Sequence, residues 1–404
     1  MKTTNKTMKA LLIMLLVSLT TMGTDLQVNS SGMANTYLTI QSAVDAASSG
    51  DNIYVATVGT YSENVSVNKT VNIIAAVADE LFTISGYFTI GQSSGIEVSI
   101  IGMNNGNVQS DGHASGKVKV NLVSSLLSSV DFSHNNYEVS IYDCEVYNNT
   151  TIRNGQIKGC ILNDLDITNE TSTTDTIKIM ANYIIDFDYS SSTHYFEICN
   201  NFIDKNGSWD SDHAIYISAY NTSAGGTNLI ANNTILYRMD YIYNNYWNSS
   251  YANSSSVGLQ INGSIGINLV IVNNFIKNQY SSSYGYAVRS SSSMSNAYLA
   301  NNHYYCSTFS RNLSTSTLLD NVSANYSYNA NTGILSGGSG LGLDMLEYRN
   351  IDNTVNDIGT NGGPHAWSNY HTTTGKAAIF DLDLPFQLFI GGTHSIKAKA
   401  IHKN

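Results

Sequence analysis

The chain has 404 residues, a formal charge of -11 at pH 7 and only 12% charged residues. So acidic a chain with so few Lys and Arg is a poor partner for nucleic acid. Two Pro and 27 Tyr, set among many Asn, Ser, Thr and Gly, also exclude the usual composition of a helical or α/β enzyme. What remains is an all-β protein of many short strands joined by polar turns.

The first residues read as a leader. Lys2, Lys6 and Lys9 precede an apolar run over 10–19, and small or polar residues follow to Thr24. That run is too short to span a bilayer. Residues 1–24 are therefore expected to be a signal peptide, and no transmembrane segment is expected after its cleavage. Cleavage removes three cations and no acids, moving the formal charge from -11 to -14. The expected location is secreted, extracellular or at the cell surface, with the periplasm as the alternative.

Residues 36–49 predict a short capping helix. Ile40, Ala43, Val44 and Ala47 fall on one helical face, Thr39 is placed to cap the start, and Gly50 ends it. Beyond Gly50 the apolar period changes to two, with Ile53 and Val55, Val65 and Val67, then Val71 and Ile73. A helix that opens directly onto alternating strands fits a lid on the end of a strand stack. Residues 79–136 continue the alternation with weak turns, and the pair Asn104–Asn105 suggests an early coil.

From about Val139 a unit recurs in constant frame: apolar, small, Asn, Asn, any residue, Ile. It appears as ICNNFI, IANNTI and IVNNFI, with degenerate copies around Asn182 and Asn302. Taking the second Asn as marker gives Asn182, Asn201, Asn233, Asn274 and Asn302, and the same frame places Cys144 and Cys160 in the column. Four Cys in a chain this long do not make a disulfide scaffold. A repeat too short to bury a face by itself predicts a solenoid. Asn suits the bend because it tolerates the left-handed region, and its amide can bond from coil to coil.

Marker spacings of 16, 22 and 19 residues are followed by 32, 41 and 28. The three long coils therefore hold insertions, at 204–212, 236–256 and 277–285, each followed by a second strand (HAIYI, VGLQI, YAVRS). All three leave the same bend and would wall one groove. With Ile215, Leu259 and Val288 inward, Tyr216, Gln260 and Arg289 form an outward column beside them. Residues 305–350 read as last coils with loops, giving a solenoid over 25–350. Residues 351–404, with the Gly-rich NDIGTNGGP and a strand carrying Lys397 and Lys399, read as a C-terminal β cap.

The stretch from Ile40 to Lys69 resembles the N-terminal segment of the pectin-lyase-like group of right-handed parallel β-helix proteins. The matching residues are Ile40, Gln41, Ala43 to Ala47, Gly50, Asp51, Ile53, Val55, Gly59 to Tyr61, Glu63, Val65, Val67 and Lys69. It departs at Ala56-Thr57-Val58, where that group usually has a shorter Ala-Pro. NDIGTNGGP is similar to the closing motif of secreted β-helix proteins of the Bacteroidetes type, with a degenerate segment at Asp352 before it. The resemblance implies a single-stranded right-handed parallel β-helix and a carbohydrate partner. It does not imply one activity.

Several enzyme signatures of that group are absent: an Asp-Asp pair, the G-H-G turn, W-I-D-H and G-x-D-F. One constellation, Trp209-Asp210-Ser211-Asp212-His213, is similar to the Asp-Pro-His-Asp box of β-helix alginate epimerases and lyases. That resemblance nominates Asp210, Asp212 and His213 as proton-transfer groups, with Lys205, Arg238 or Arg289 neutralising a uronate carboxylate. The bland alternative is that Asp212-His213 merely begins a strand.

The insertion aromatics Trp209, Tyr237, Tyr246, Trp247 and Tyr284, with Tyr216, Gln260 and Arg289, are candidate glycan contacts. Eleven basic residues between Gly32 and Tyr348 form no row across neighbouring coils. A strongly anionic polymer would therefore need a bridging Ca2+, for which Asp164 and Asp166, or Asp186 and Asp188, are the ligands on offer. No other cofactor or metal is expected. The expected function is a monomeric carbohydrate-binding protein. The alternatives are a uronate lyase or epimerase using Asp212 and His213, and a structural surface protein or adhesin without a small ligand.

Overall fold

The computed structural model describes residues 25–168, 175–191, 195–205, 213–219, 228–237, 256–262, 269–279, 282–283, 285–291, 294, 297–313, 317–345, 349–350, 352 and 354–371. It also describes four short strand segments, at 242–243, 246–247, 377–383 and 397–402, by backbone alone.

Short strands stack in register along one axis. Thirteen of them, from Asp25–Val28 to Thr317–Leu319, form one all-parallel sheet. After each strand the chain turns a corner into a second sheet, bends into a third, and returns one level further on. The second sheet includes the strands Phe202–Lys205, Thr234–Tyr237 and Phe275–Asn278. The third includes His213–Ala219, Val257–Asn262 and Tyr286–Ser290. In the middle coils one strand spans both sheets, as in Glu145–Ile152 and Ile161–Ile167, and its register slips where it bends. The fold is a parallel β-helix. Because all ladders are parallel and in register, each inward residue stacks on its counterpart one coil away. Ile53, Ile73, Ile100, Leu122, Ile141 and Ile157 form one such column, continued by Ile179, Ile198, Ile230, Ile271 and Leu299. All of these are 0% exposed.

The expected cap is present. Helix α1, Ile40–Ala46, buries Ile40, Ala43 and Val44, and the Thr39 side chain accepts from the Ser42 N–H. Seven residues do not hold a helix in water alone. Here the Glu63 carboxylate accepts from the N–H groups of Ile40 (2.8 Å) and Gln41 (2.9 Å), while Lys69 donates to the carbonyl of Ala47 (2.8 Å). An anion at the start and a cation at the end both complement the helix dipole. The Gln41 amide pairs with the backbone of Ser66. One strand was not expected: Asp25–Val28 precedes α1 and pairs with Asp51–Val55.

The corner between the first and second sheets explains the Asn pairs. The first member takes the left-handed conformation, with φ of 59° at Asn200, 56° at Asn232, 57° at Asn273 and 51° at Asn301. The second member points inward. Both the backbone N–H and the amide of Asn201 donate to the Asn233 side-chain oxygen (2.9 and 3.0 Å), and its amide also donates to Ile179 O (2.8 Å). Its own oxygen accepts from the N–H and amide of Asn182. All side-chain bonding capacity is thus used, although Asn201 is 0% exposed. The ladder runs Asn182, Asn201, Asn233, Asn274, Asn302 and on to Asn321, a rung the repeat pattern did not register. Cys160 and Cys144 continue the column as expected: the Cys160 N–H donates to Asn182, and the Cys144 N–H to the Cys160 sulfur. All four Cys are buried free thiols. Asn104–Asn105 is not a rung. The column passes through Met103, whose N–H donates to the Ser125 hydroxyl, while Asn105 takes its positive φ inside the strand Met103–Ser110.

The last strand of the stack is Val322–Ser323. Beyond it the described residues as far as 371 form a strap: a hairpin with Tyr328 opposite Leu335 brings the chain back to Leu341 beside Asn301, and from there the strap runs back along the corner, gripped by the outward first Asn of each pair. Asn232 and Asn356 exchange side-chain hydrogen bonds (2.9 and 3.2 Å), Asn200 donates to Thr360 O, and Asn273 accepts from the Leu343 N–H. His371 reaches Ala181 O at 2.7 Å. The Gly-rich turn is needed here, because a Cβ on Gly362 would lie 2.1 Å from Asp357 O. Beneath the strap the outer face of the second sheet is apolar, and Phe202, Leu236 and Phe275 pack against Ile358 and Trp367. The strands 377–383 and 397–402 form an antiparallel pair in which Asp381 and Asp383 are in register with Lys399 and Lys397.

Asn233→Ala should destabilise the protein by about 3 kcal/mol or more, because it leaves the amide and N–H of Asn201 buried and unpaired. Asn72→Ala, at a part-exposed side-chain bond to Asn52 on the outer face, should cost below about 1 kcal/mol. Urea titration of both variants checks the contrast.

Candidate functional site

The outward column of the third sheet is in register as expected: Tyr216 pairs with Gln260, and Gln260 with Arg289. Ile215, Leu259 and Val288 point inward at 0% exposure. The column extends in both directions, through Asp188 and Asp166 on one side and to Arg311 on the other.

Side-chain bonds join these residues into a row. Arg289 Nε donates to Gln260 Oε1, Gln260 Nε2 donates to Asn262 Oδ1 (2.8 Å), and Asn262 Nδ2 donates to the Tyr216 hydroxyl (2.7 Å). The Tyr216 ring lies 4.8 Å from the His213 ring. His213 Nε2 is 3.5 Å from Asp188 Oδ1. Gln260 is only 5% exposed, so it positions Arg289 rather than meeting a ligand itself. Tyr216 and Arg289 keep partly accessible surfaces.

At the acidic end, Asp164 stands in register with Asp186 and Asp166 with Asp188. Adjacent parallel strands lie about 4.8 Å apart, which crowds four carboxylates on one face. Burial, with Asp164, Asp188 and Asp186 nearby, pushes the Asp166 carboxyl up to about 6. Burial and the charges of Asp186 and Asp188 also raise Asp164, and the Lys205 ammonium partly offsets this. Lys205 is 2% exposed and ion-paired with Asp186, which is the reason it is unavailable for a substrate carboxylate. Among the described residues no three acidic, His or Cys side chains converge to hold a metal ion. Among them, too, no helix is long and apolar enough to cross a membrane.

Of the predicted proton-transfer residues, His213 is on the row, with Asp188 facing its ring. Asp210, Asp212 and Arg238 lie outside the described residues, as do Trp209 and Tyr284. Tyr246 and Trp247 belong to a two-stranded antiparallel pair with Ile242 and Tyr243 and are described by backbone alone. All three insertion limits move. Asp204 and Lys205, Leu236 and Tyr237, and Lys277 and Asn278 are in strands of the second sheet. Tyr237 is therefore core, 2% exposed, not a loop aromatic, and Gly258 and Gly285 leave room for its ring and hydroxyl.

The Asp array was readable in the repeat. The step from 164 to 186, and from 166 to 188, is 22 residues, the same as the marker step from Cys160 to Asn182. Asn262 had no signal of its own, because its role depends on the Tyr216 hydroxyl one coil away.

The chain matches no protein-family model, and no characterised protein matches it in sequence.

A carboxyl that ionises near 4 when unfolded and near 6 when folded makes the native state bind more protons in between. Stability from Asp166 is thus lost as pH rises from about 4 to about 6. Asp166→Asn should raise stability at pH 7 to 8 by about 1 kcal/mol, a figure reduced for partial exposure, and flatten that decline. Thermal melts across pH 4 to 8 give the comparison.

Proposed function

We propose that this is a secreted or cell-surface β-helix protein that binds carbohydrate along the outer face of the third sheet. The observation behind this reading is the row of Asp188, His213, Tyr216, Asn262, Gln260 and Arg289. Its groups are held by one another before any ligand arrives, which reduces the ordering cost of binding. Tyr216 offers a ring face for a sugar, Asp188 accepts from hydroxyls, and Arg289 donates to them. The insertions connect second-sheet strands to the third-sheet strands that carry this row, and in this reading they wall it. The leader and the motif resemblance to the pectin-lyase-like group and to Bacteroidetes-type secreted proteins support the location and the ligand class.

Affinity electrophoresis over a panel of neutral and acidic polysaccharides tests it. Retardation by at least one polymer is expected, reduced several-fold in Tyr216→Ala and in Arg289→Ala. No retardation across the panel would leave a structural surface role as the better reading.

A lyase or epimerase reading is favoured by one observation, the imidazole of His213 beside Asp188 with a carboxyl nearby that keeps its proton to about 6. The placement of cations counts against it. Arg289 stands two rungs from the His213 strand, and Lys205 is held by Asp186. A uronate carboxylate next to His213 would meet no cation among the described residues. On the binding reading, absorbance of unsaturated uronates does not rise with any acidic polymer. A rise that disappears in His213→Ala would replace binding by lyase chemistry.

A further inference from the structure

The strap is held differently from the stack it covers. The coils beneath are bonded into long parallel sheets, whereas the strap meets them through corner side chains such as Asn200, Asn232 and Asn273. Histidines stand at both ends of this contact. At the hairpin end His303, on the strand His303–Tyr305, is 6% exposed. Its Nδ1 lies 2.6 Å from the hydroxyl of Tyr326 on the strap, and the two rings are stacked. At the far end His365 is on the strap itself, with Nδ1 3.1 Å from the Tyr370 hydroxyl. Tyr370 packs over Gly159, where an added Cβ would come within 3.2 Å of it.

The stack places cations beside both rings. Lys158 and Lys178, on the first-sheet strands Gly155–Lys158 and Thr176–Met180, bear on His365. Glu197 lies 3.8 Å from Lys178, and Lys158 lies over the Tyr142 ring. On the strand next to His303, Lys277 donates to Asn325 of the strap and lies over the rings of Tyr305 and Tyr328. Asp204, an acid on that face, accepts from Gln279. The strap's carboxylates bond within the strap: Asp357 to the Gly340 N–H, Asp344 to Arg349, and Asp352 to Thr354. His371 donates through Nε2 to Ala181 O, a bond that a neutral or a charged ring makes equally.

We infer that the strap is an acid-sensitive latch. Charging of His365 and His303 below neutral pH loosens it from the corner and uncovers the apolar outer face of the second sheet at Phe202, Leu236 and Phe275. The inference does not depend on the carbohydrate reading. A proton on either ring is placed near a lysine and away from water while the strap is closed. Burial, with Lys158 and Lys178 nearby, pushes the His365 imidazole down to about 3, and burial also lowers His303. Both return to about 6.5 once the strap opens, so the open form binds more protons. Closure is therefore strongest above about pH 6.5 and weakens as pH falls below it. From His365 alone, opening becomes at least about tenfold more frequent between pH 7 and pH 5. The stack keeps its own ladders, so the opening is local.

Hydrogen exchange of the purified full chain, corrected for the intrinsic rate at each pH, tests this. Protection at Leu343 and Gly359, whose N–H groups bond to Asn273, should fall at least about tenfold from pH 7 to pH 5. Protection in the strands Asn228–Ala231 and Leu269–Val272 should stay constant. His365→Gln together with His303→Gln should flatten the strap profile. The slope with pH is read, so a strap that is looser at every pH in the variant does not disturb the comparison. Each single variant should give a smaller slope than wild type, and serves if the double variant fails to fold. A flat wild-type profile, a slope that the variants retain, or an equal fall in strap and strands overturns the proposal.

Discussion

The structure depends on satisfying the backbone at one buried corner. Each coil must turn sharply between two sheets, and the polar groups at that turn face an apolar interior with no water to bond them. The second Asn of each pair resolves this. Its amide oxygen accepts from the coil before, its NH2 group donates to the coil after and to a carbonyl, and Asn201, Asn233 and Asn274 repeat the arrangement. Cys144, Cys160 and Ser125 occupy the same column where the turn is served by weaker donors and acceptors. The first Asn supplies the left-handed turn, and its outward side chain holds the strap. One dipeptide therefore joins the coil interior to the segment that covers it.

Rigid register at this corner is transmitted to the opposite bend. Because every coil returns to the same phase, residues at equivalent positions of the third sheet stack in one row, and chemistry placed once per coil accumulates there. Four carboxylates gather where Asp-x-Asp occurs on consecutive coils, and a hydrogen-bonded Tyr, Asn, Gln and Arg row follows where the coils carry insertions. The same regularity makes the ends special. A stack has a first and a last coil, and only the first has α1 to cover it.

Much of this was legible in the residues. The lid helix could be read because its apolar face has a different period from the strands that follow. Gln41, Glu63 and Lys69, which the motif resemblance singles out, turn out to be the groups that hold α1 to the first coil. The marker column was readable because Asn at a fixed phase is rare by chance when apolar residues flank it. Asn104–Asn105 lie in an early coil as expected but off the marker column, where a positive φ within a strand uses the same residue type for a different purpose. All three insertion limits were misplaced by two residues, since Asp204, Lys205, Leu236, Tyr237, Lys277 and Asn278 look polar or aromatic enough for a loop while their backbone still pairs with its neighbours.

The sequence by itself determined the solenoid, its cap, its ladder and the column of outward residues, because these follow from short-range period and a repeated frame. Only the tertiary structure decided the partners: Asp188 facing His213, Lys205 withdrawn into an ion pair with Asp186, Tyr237 buried, and the strap returning along the Asn corner. Each of these joins residues whose separation along the chain varies with insertion length. No local pattern encodes that separation, whereas the parallel register fixes it in space.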